Sequence, residues 1–202
     1  MIAYVESNFV VELAREQEEA SAAEEILRLA ERRAIQLAFP VFSLCEPFST
    51  LTYRDNERRR FVDALRGELW ELGRIRSQKK LATDLRPLVQ TLLSLEGREI
   101  DALENIVQRM LSVGRSITLD AAVFTEARAL EKKCDLSPQD AIVYACVLTD
   151  LQEQQPGQSR CFISRNSKDF DDPSIIADLA VHRCRYMAKF QDGLAYIRSE
   201  IR

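Results

Sequence analysis

Ile2-Ala-Tyr-Val-Glu-Ser-Asn8 decides the fold class. Ile2 to Val5 is a short apolar run rich in β-formers, which reads as a buried first strand. It ends at Glu6-Ser-Asn8, and Ser7 or Asn8 is placed to cap a helix carrying Phe9, Val10, Val11, Leu13 and Ala14. Strand, acidic turn and helix make a βα unit whose loop lies at the carboxyl end of the strand. Ligands bind at that end in open parallel sheets.

Outward from this unit the chain alternates. Ser21-Ala-Ala-Glu24 matches a capping box for a helix over 21–33, and Ile35 to Phe39 reads as a second strand before Pro40. Phe42-Ser-Leu-Cys-Glu-Pro-Phe48 opens another helix in which Pro47 is expected to cause a late start or a bend. From Thr52 to about Gly114 the spacing of Phe61, Leu65, Leu69, Leu72, Leu88, Leu92 and Leu103 is helical, with breaks expected at Gly73, Pro87 and Gly97. Thr118 or Asp120 caps a helix through Leu130. Ser137 caps the next, with Pro138 at its first position and Asp140 at its third, running to about Leu151. Cys161-Phe-Ile163 is expected as the third strand, 175–179 as a short helix, 183–187 as a last strand and 190–201 as a terminal helix. The expected architecture is one α/β domain over 1–202. It has three layers and a parallel central sheet, with a helical elaboration over about 52–115 between the second and third strands.

Composition narrows the chemistry. The 202 residues are 46% hydrophobic and 30% charged, with a formal net charge of −4, which disfavours a whole-surface grip on nucleic acid but not a local patch. No apolar run approaches bilayer length and no charged-then-apolar leader opens the chain, so the expected location is the cytoplasm, away from any membrane. Five cysteines without a CxxC pair read as small core residues in a reducing compartment. A single histidine, His182, disfavours a histidine-rich zinc site or a Ser-His-Asp hydrolase, and it reads as a structural or surface residue. Carboxylates are plentiful, and they suit hard cations.

Four acids fall at element ends. Asp140 sits near the positive end of its helix, which is also an ordinary capping arrangement. Glu6 follows a buried strand, where an acid needs a partner or a metal, or else marks a surface loop. Glu46 lies near a helix start, and Asp169 lies in the polar turn Ser164-Arg-Asn-Ser-Lys-Asp169. Gathered at one edge of a parallel sheet, these like charges would repel unless a cation joined them. The run from Arg54 to Lys80 is the most basic stretch, readable as a solvated ion-paired helix face or as a phosphate-contacting rim.

Val5-Glu-Ser-Asn8, Glu46, Leu136-Ser-Pro-Gln-Asp-Ala141 and Phe162-Ile-Ser-Arg-Asn-Ser-Lys-Asp-Phe170 together resemble, in order, the motifs of the PIN domain family, which includes the toxin nucleases of bacterial toxin–antitoxin pairs. The resemblance implies a PIN-like three-layer fold and Mg²⁺- or Mn²⁺-dependent hydrolysis of RNA. It implies that Glu6, Glu46, Asp140 and Asp169 are the catalytic, metal-binding acids, supported by Asn8, Ser164 and Asn166. Arg58, Arg59, Arg60, Arg165 and Lys168 are the expected contacts to nucleic acid. The expected partners are an RNA substrate, an antitoxin protein and a second copy of the chain. The family usually carries Asp where this chain has Glu6, many members carry Asp where it has Asn166, and the small toxins lack the helical elaboration. These departures keep a second reading open: a PIN-like module, impaired in catalysis, that binds RNA or protein.

Overall fold

The computed structural model describes residues 1–155 and 157–201. The chain divides into two compact units, one of Met1–Pro47 with the chain from Leu103 onward, the other of Phe48–Ala102. In order, the elements are β1 (Ile2–Val5), α1 (Ser7–Ala14), α2 (Ala20–Glu31), β2 (Gln36–Pro40), α3 (Phe42–Arg74), α4 (Lys79–Val113), β3 (Arg115–Ile117), α5 (Ala121–Cys134), α6 (Pro138–Glu153), β4 (Arg160–Ile163), α7 (Ser167–Phe170), α8 (Pro173–Val181), β5 (Cys184–Met187) and α9 (Phe190–Glu200).

The strands form one sheet of order β3-β2-β1-β4-β5, parallel throughout. Tyr4 lies opposite Ala38 on one side and Phe162 on the other, and Val5 lies opposite Ile163. An all-parallel sheet is covered on both faces, which is why β1 and β4 are buried along their whole length. On one face Ile2, Tyr4, Ala38, Phe162 and Cys184 pack with Val123 and Leu130 of α5, Tyr144 and Val147 of α6, and Leu179 of α8. On the other, α2 packs with α1, α9 and β2, and α9 also packs with β4 and β5. Phe9 of α1 meets Phe190 of α9 edge-on at 5.4 Å between ring centroids. A Cβ at Gly193 would come within 2.5 Å of Ile163 Cδ1, so α9 approaches β4 more closely than a side chain there would permit. The result is a three-layer α/β sandwich.

The Phe48–Ala102 unit is a pair of helical segments joined by the short turn after Arg74. Val62, Leu69, Ala82 and Val89 form its core, flanked by Leu65, Leu72, Leu85 and Leu92. Breaks expected at Pro87 and Gly97 do not occur; both residues lie within α4, and Pro47 lies within α3. Burial along this shared seam outweighs the local helix penalty of Pro and Gly, roughly 3 and 1 kcal/mol.

Three local expectations change. A fifth strand, β3, pairs with β2 at the sheet edge, so the strand at Cys161 is the fourth rather than the third. With only three residues, two of them polar, β3 has too little apolar pattern to read in advance. Helix α1 is capped by Glu6 rather than by Ser7 or Asn8, because β1 ends at Val5 and Glu6 alone makes the turn. The Ser21–Glu24 capping box does not form: α2 begins at Ala20 without a side-chain cap, and Glu24 instead binds Arg109. Cys146, Cys161 and Cys184 are buried as expected, whereas Cys45 is exposed; all five thiols are free. Among the described residues no helix is long and apolar enough to cross a membrane.

Candidate functional site

The sheet order places a switch point between β1 and β4. The chain leaves β1 toward β2 and leaves β4 toward β5, so the two connections diverge and open a crevice at the carboxyl ends of these neighbours. Glu6 follows β1 and Ser164 follows β4 at that crevice.

Glu6 is 4% exposed. Its Oε2 accepts the Asn8 backbone N–H at 2.9 Å, capping α1, and the Ser7 hydroxyl at 2.7 Å. Its Oε1 is buried and has no hydrogen-bond partner. Burial pushes the carboxyl above the usual glutamate range. The Asn8 N–H and the Ser7 and Ser164 hydroxyls pull the other way without cancelling that effect. An ionised carboxylate with one buried oxygen unsatisfied is costly unless a cation or donor completes it.

Ser164 is fully buried. Its Oγ accepts the Asn166 N–H at 3.0 Å and its carbonyl accepts the Tyr186 hydroxyl at 2.9 Å. This turn aims Asn166, whose Nδ2 donates to Asp140 Oδ1 at 2.9 Å. Asp140 stands at the third position of α6, as its spacing from Ser137 predicts. The Ser137 hydroxyl accepts the Asp140 N–H at 3.1 Å and donates to Asp140 Oδ2 at 2.5 Å. Ser164, Asn166, Asp140 and Ser137 are thus linked from the turn after β4 to the start of α6, and Glu6 follows the neighbouring strand β1. Each Asp140 oxygen retains a lone pair beyond the bond it accepts.

The other expected acids, Asp169 and Glu46, lie on α7 and α3. Asp169 is half-buried in α7, where its backbone N–H reaches the Asn166 carbonyl at 3.3 Å. Glu46 is exposed in α3. Among the described residues no three Asp, Glu, His or Cys side chains come together closely enough to hold a metal ion. The crevice therefore offers the buried carboxyl of Glu6 and the hydrogen-bonded carboxylate of Asp140, with no cluster of three acids among the described residues. Glu6 Oε1 fits a cation ligand, whereas the amide of Asn166 already occupies one side of Asp140.

The expected cationic residues are also partly committed. Arg165 Nη1 binds the buried Glu12 at 2.5 Å, with Glu18 at 3.6 Å from Nη2. In the Phe48–Ala102 unit Arg58 is nearly enclosed between Asp55 at 2.6 Å and Glu99 at 2.8 Å, and Arg60 pairs with Glu57 at 2.7 Å. Arg59 and Lys168 are exposed. His182 ends α8, and its carbonyl accepts a bond from Arg160 at 2.7 Å.

Sequence reasoning missed several polar residues. Ser43, in the first turn of α3 after β2, has a buried hydroxyl with no partner. Glu12 is 1% exposed and holds both Arg165 and the Glu19 N–H, the latter at 2.5 Å. Asp150, deep in α6, accepts the Tyr4 hydroxyl at 2.6 Å and binds Arg115 through both guanidinium nitrogens, Nη2 at 2.7 Å. Burial and the bond to Asp150 raise the Tyr4 pKa, and the same carboxylate raises that of Arg115. Asp150 lies on the face of α6 that carries Val143 and Val147, so a carboxylate in an otherwise apolar stripe was its available signal.

Comparison with known proteins adds no relative: no family model, curated protein or solved structure matches this chain.

Proposed function

We propose that the protein is a Mg²⁺- or Mn²⁺-dependent nuclease that hydrolyses phosphodiester bonds in RNA, built on a PIN-like fold. The observation that carries this reading is the buried, unsatisfied Oε1 of Glu6 at the β1–β4 switch point, next in the sheet to the strand whose following turn hydrogen-bonds to Asp140. Glu6 and Asp140 would hold the cation, a hard ion suited to carboxylate oxygens. Asn166 and Ser137 fix the Asp140 carboxylate, and Ser164 fixes Asn166. Asp169 and Glu46 are the acids available to complete the set. When bound, the cation supplies activation of a water and neutralisation of phosphate charge. The all-parallel sheet and the acid-bearing carboxyl edge support the reading, as does the ordered resemblance of four motifs. Expected is Mn²⁺-dependent cleavage of single-stranded RNA, abolished by EDTA and by Asp140→Asn; cleavage that survives both overturns the assignment.

The second reading is a non-catalytic RNA- or protein-binding module. It is favoured by the neutral amide of Asn166 on Asp140 and by the finding that, among the described residues, no three acids come close enough to hold a metal ion. It predicts RNA binding without turnover in Mn²⁺, with a salt dependence that flattens when the charges of Arg58, Arg59 and Arg60 are removed.

A further inference from the structure

Buried positions along α3 fall at Leu51, Asp55, Val62 and Leu69, with Arg58, Leu65 and Leu72 half-buried between them. Along α4 they fall at Ala82, Val89 and Glu99, with Leu85 and Leu92 half-buried. Spacings that alternate between three and four residues are those of a two-stranded coiled-coil seam. In an antiparallel pair, the residues just before one set of seam positions lie on the same flank of both helices. Here that flank carries large uncovered apolar residues: Phe61 is 58% exposed, Ile75 50%, Leu81 48% and Leu88 46%. Four large exposed apolar residues on one flank, interrupted on the α3 side by Glu68, exceed the scattered apolar residues of an ordinary surface.

Charge identifies the occupant. Read every seven residues, the row is Arg54, Phe61 and Glu68 on α3, followed by Ile75 in the turn just past the helix end at Arg74. Neighbouring arginines are neutralised within their own helix, Arg58 by Asp55, Arg60 by Glu57, Arg66 by Asp63 and Arg74 by Glu71. Arg54 and Glu68 are exposed and stand outside these pairs, one heptad on either side of Phe61. A two-fold axis at Phe61 with antiparallel helices sets each Arg54 against Glu68 of the other copy, so the row is complementary to itself. Self-complementarity about a dyad is the requirement of an isologous interface.

We infer that the Phe48–Ala102 helical pair is a homodimerisation module. It uses the Phe61–Ile75–Leu81–Leu88 flank, with Phe61 at the two-fold axis and reciprocal Arg54–Glu68 pairs. Light scattering or sedimentation of the full chain across a concentration series tests this. The wild type should show a monomer–dimer equilibrium, and Phe61→Glu should shift it to monomer. Arg54→Glu and Glu68→Arg should each weaken the dimer about tenfold through like-charge contacts, and the double exchange should restore it. Phe61→Cys, in a Cys45→Ser background, should give a disulfide-linked dimer on oxidation. A wild type that remains monomeric throughout overturns the inference, as does a dimer indifferent to Phe61→Glu or a double exchange no better than the single ones. Circular dichroism confirms that these exposed substitutions leave the helices intact. Neither result depends on nuclease activity.

Discussion

Asn166 Nδ2 donates to Asp140 Oδ1 across 2.9 Å, joining the turn after β4 to the first turn of α6. A neutral amide here lets Asp140 stand opposite the turn without repulsion, whereas a carboxylate at 166 would set two anions side by side.

Asn166→Asp should therefore lower the thermal stability of the metal-free protein at neutral pH and raise its response to divalent cations. Differential scanning calorimetry with EDTA and with Mn²⁺ should show a larger Mn²⁺-induced rise in Tm for the variant than for the wild type. Equal rises would place the cation away from this pair.

Glu6 carries a pH signature. Burial raises its carboxyl above the ordinary value of about 4.3, so the protonated form favours folding. That stability is fully present below the ordinary glutamate range and is lost as pH rises through the elevated value. Between about pH 4 and pH 8 in EDTA, Glu6→Gln should remove this component of the fall in stability. Mn²⁺ should raise the neutral-pH Tm of the wild type but not of Glu6→Gln. Superimposable melting profiles for the two proteins would sink the assignment.

Asp150 binds β1 and β3 to α6 through Tyr4 and Arg115. Asp150→Ala strands a half-buried guanidinium and should cost about 2–4 kcal/mol, less than a fully buried pair because Arg115 keeps 30% of its side-chain surface in water. Tyr4→Phe removes one hydrogen bond but leaves the ion pair, for about 1 kcal/mol. Urea midpoints should rank the two in that order; a larger loss for Tyr4→Phe would show that the hydroxyl, not the ion pair, holds the strands.

Strands β1 and β4 were legible because the apolar runs Ile2–Val5 and 161–163 had to satisfy burial on both faces of a parallel sheet. The α6 start was legible because Ser137, Pro138 and Asp140 each carry a position-specific preference. Convergence of the acids was not. An acid near a helix start, such as Glu46, looks alike whether it faces a crevice or solvent, and rotation about the helix axis decides which. Arg58 read as one cation among several because its neighbours Asp55 and Glu99 are three and forty-one residues away, and only the pairing of α3 with α4 brings all three together. Asp150 stayed hidden for the same reason: its partner Arg115 is thirty-five residues upstream, on a strand too short to recognise.

Glu6 divides its two oxygens between separate tasks, one anchoring the first turn of α1 and the other left over. Alanine scanning would misread such a residue, because truncation removes the helix anchor along with the charge and any lost activity would be indistinguishable from local unravelling. The amide isostere keeps an acceptor for the Asn8 N–H while deleting the anion, and aspartate keeps the anion while shortening its reach. Compared side by side, the two substitutions separate architecture from chemistry at a single position.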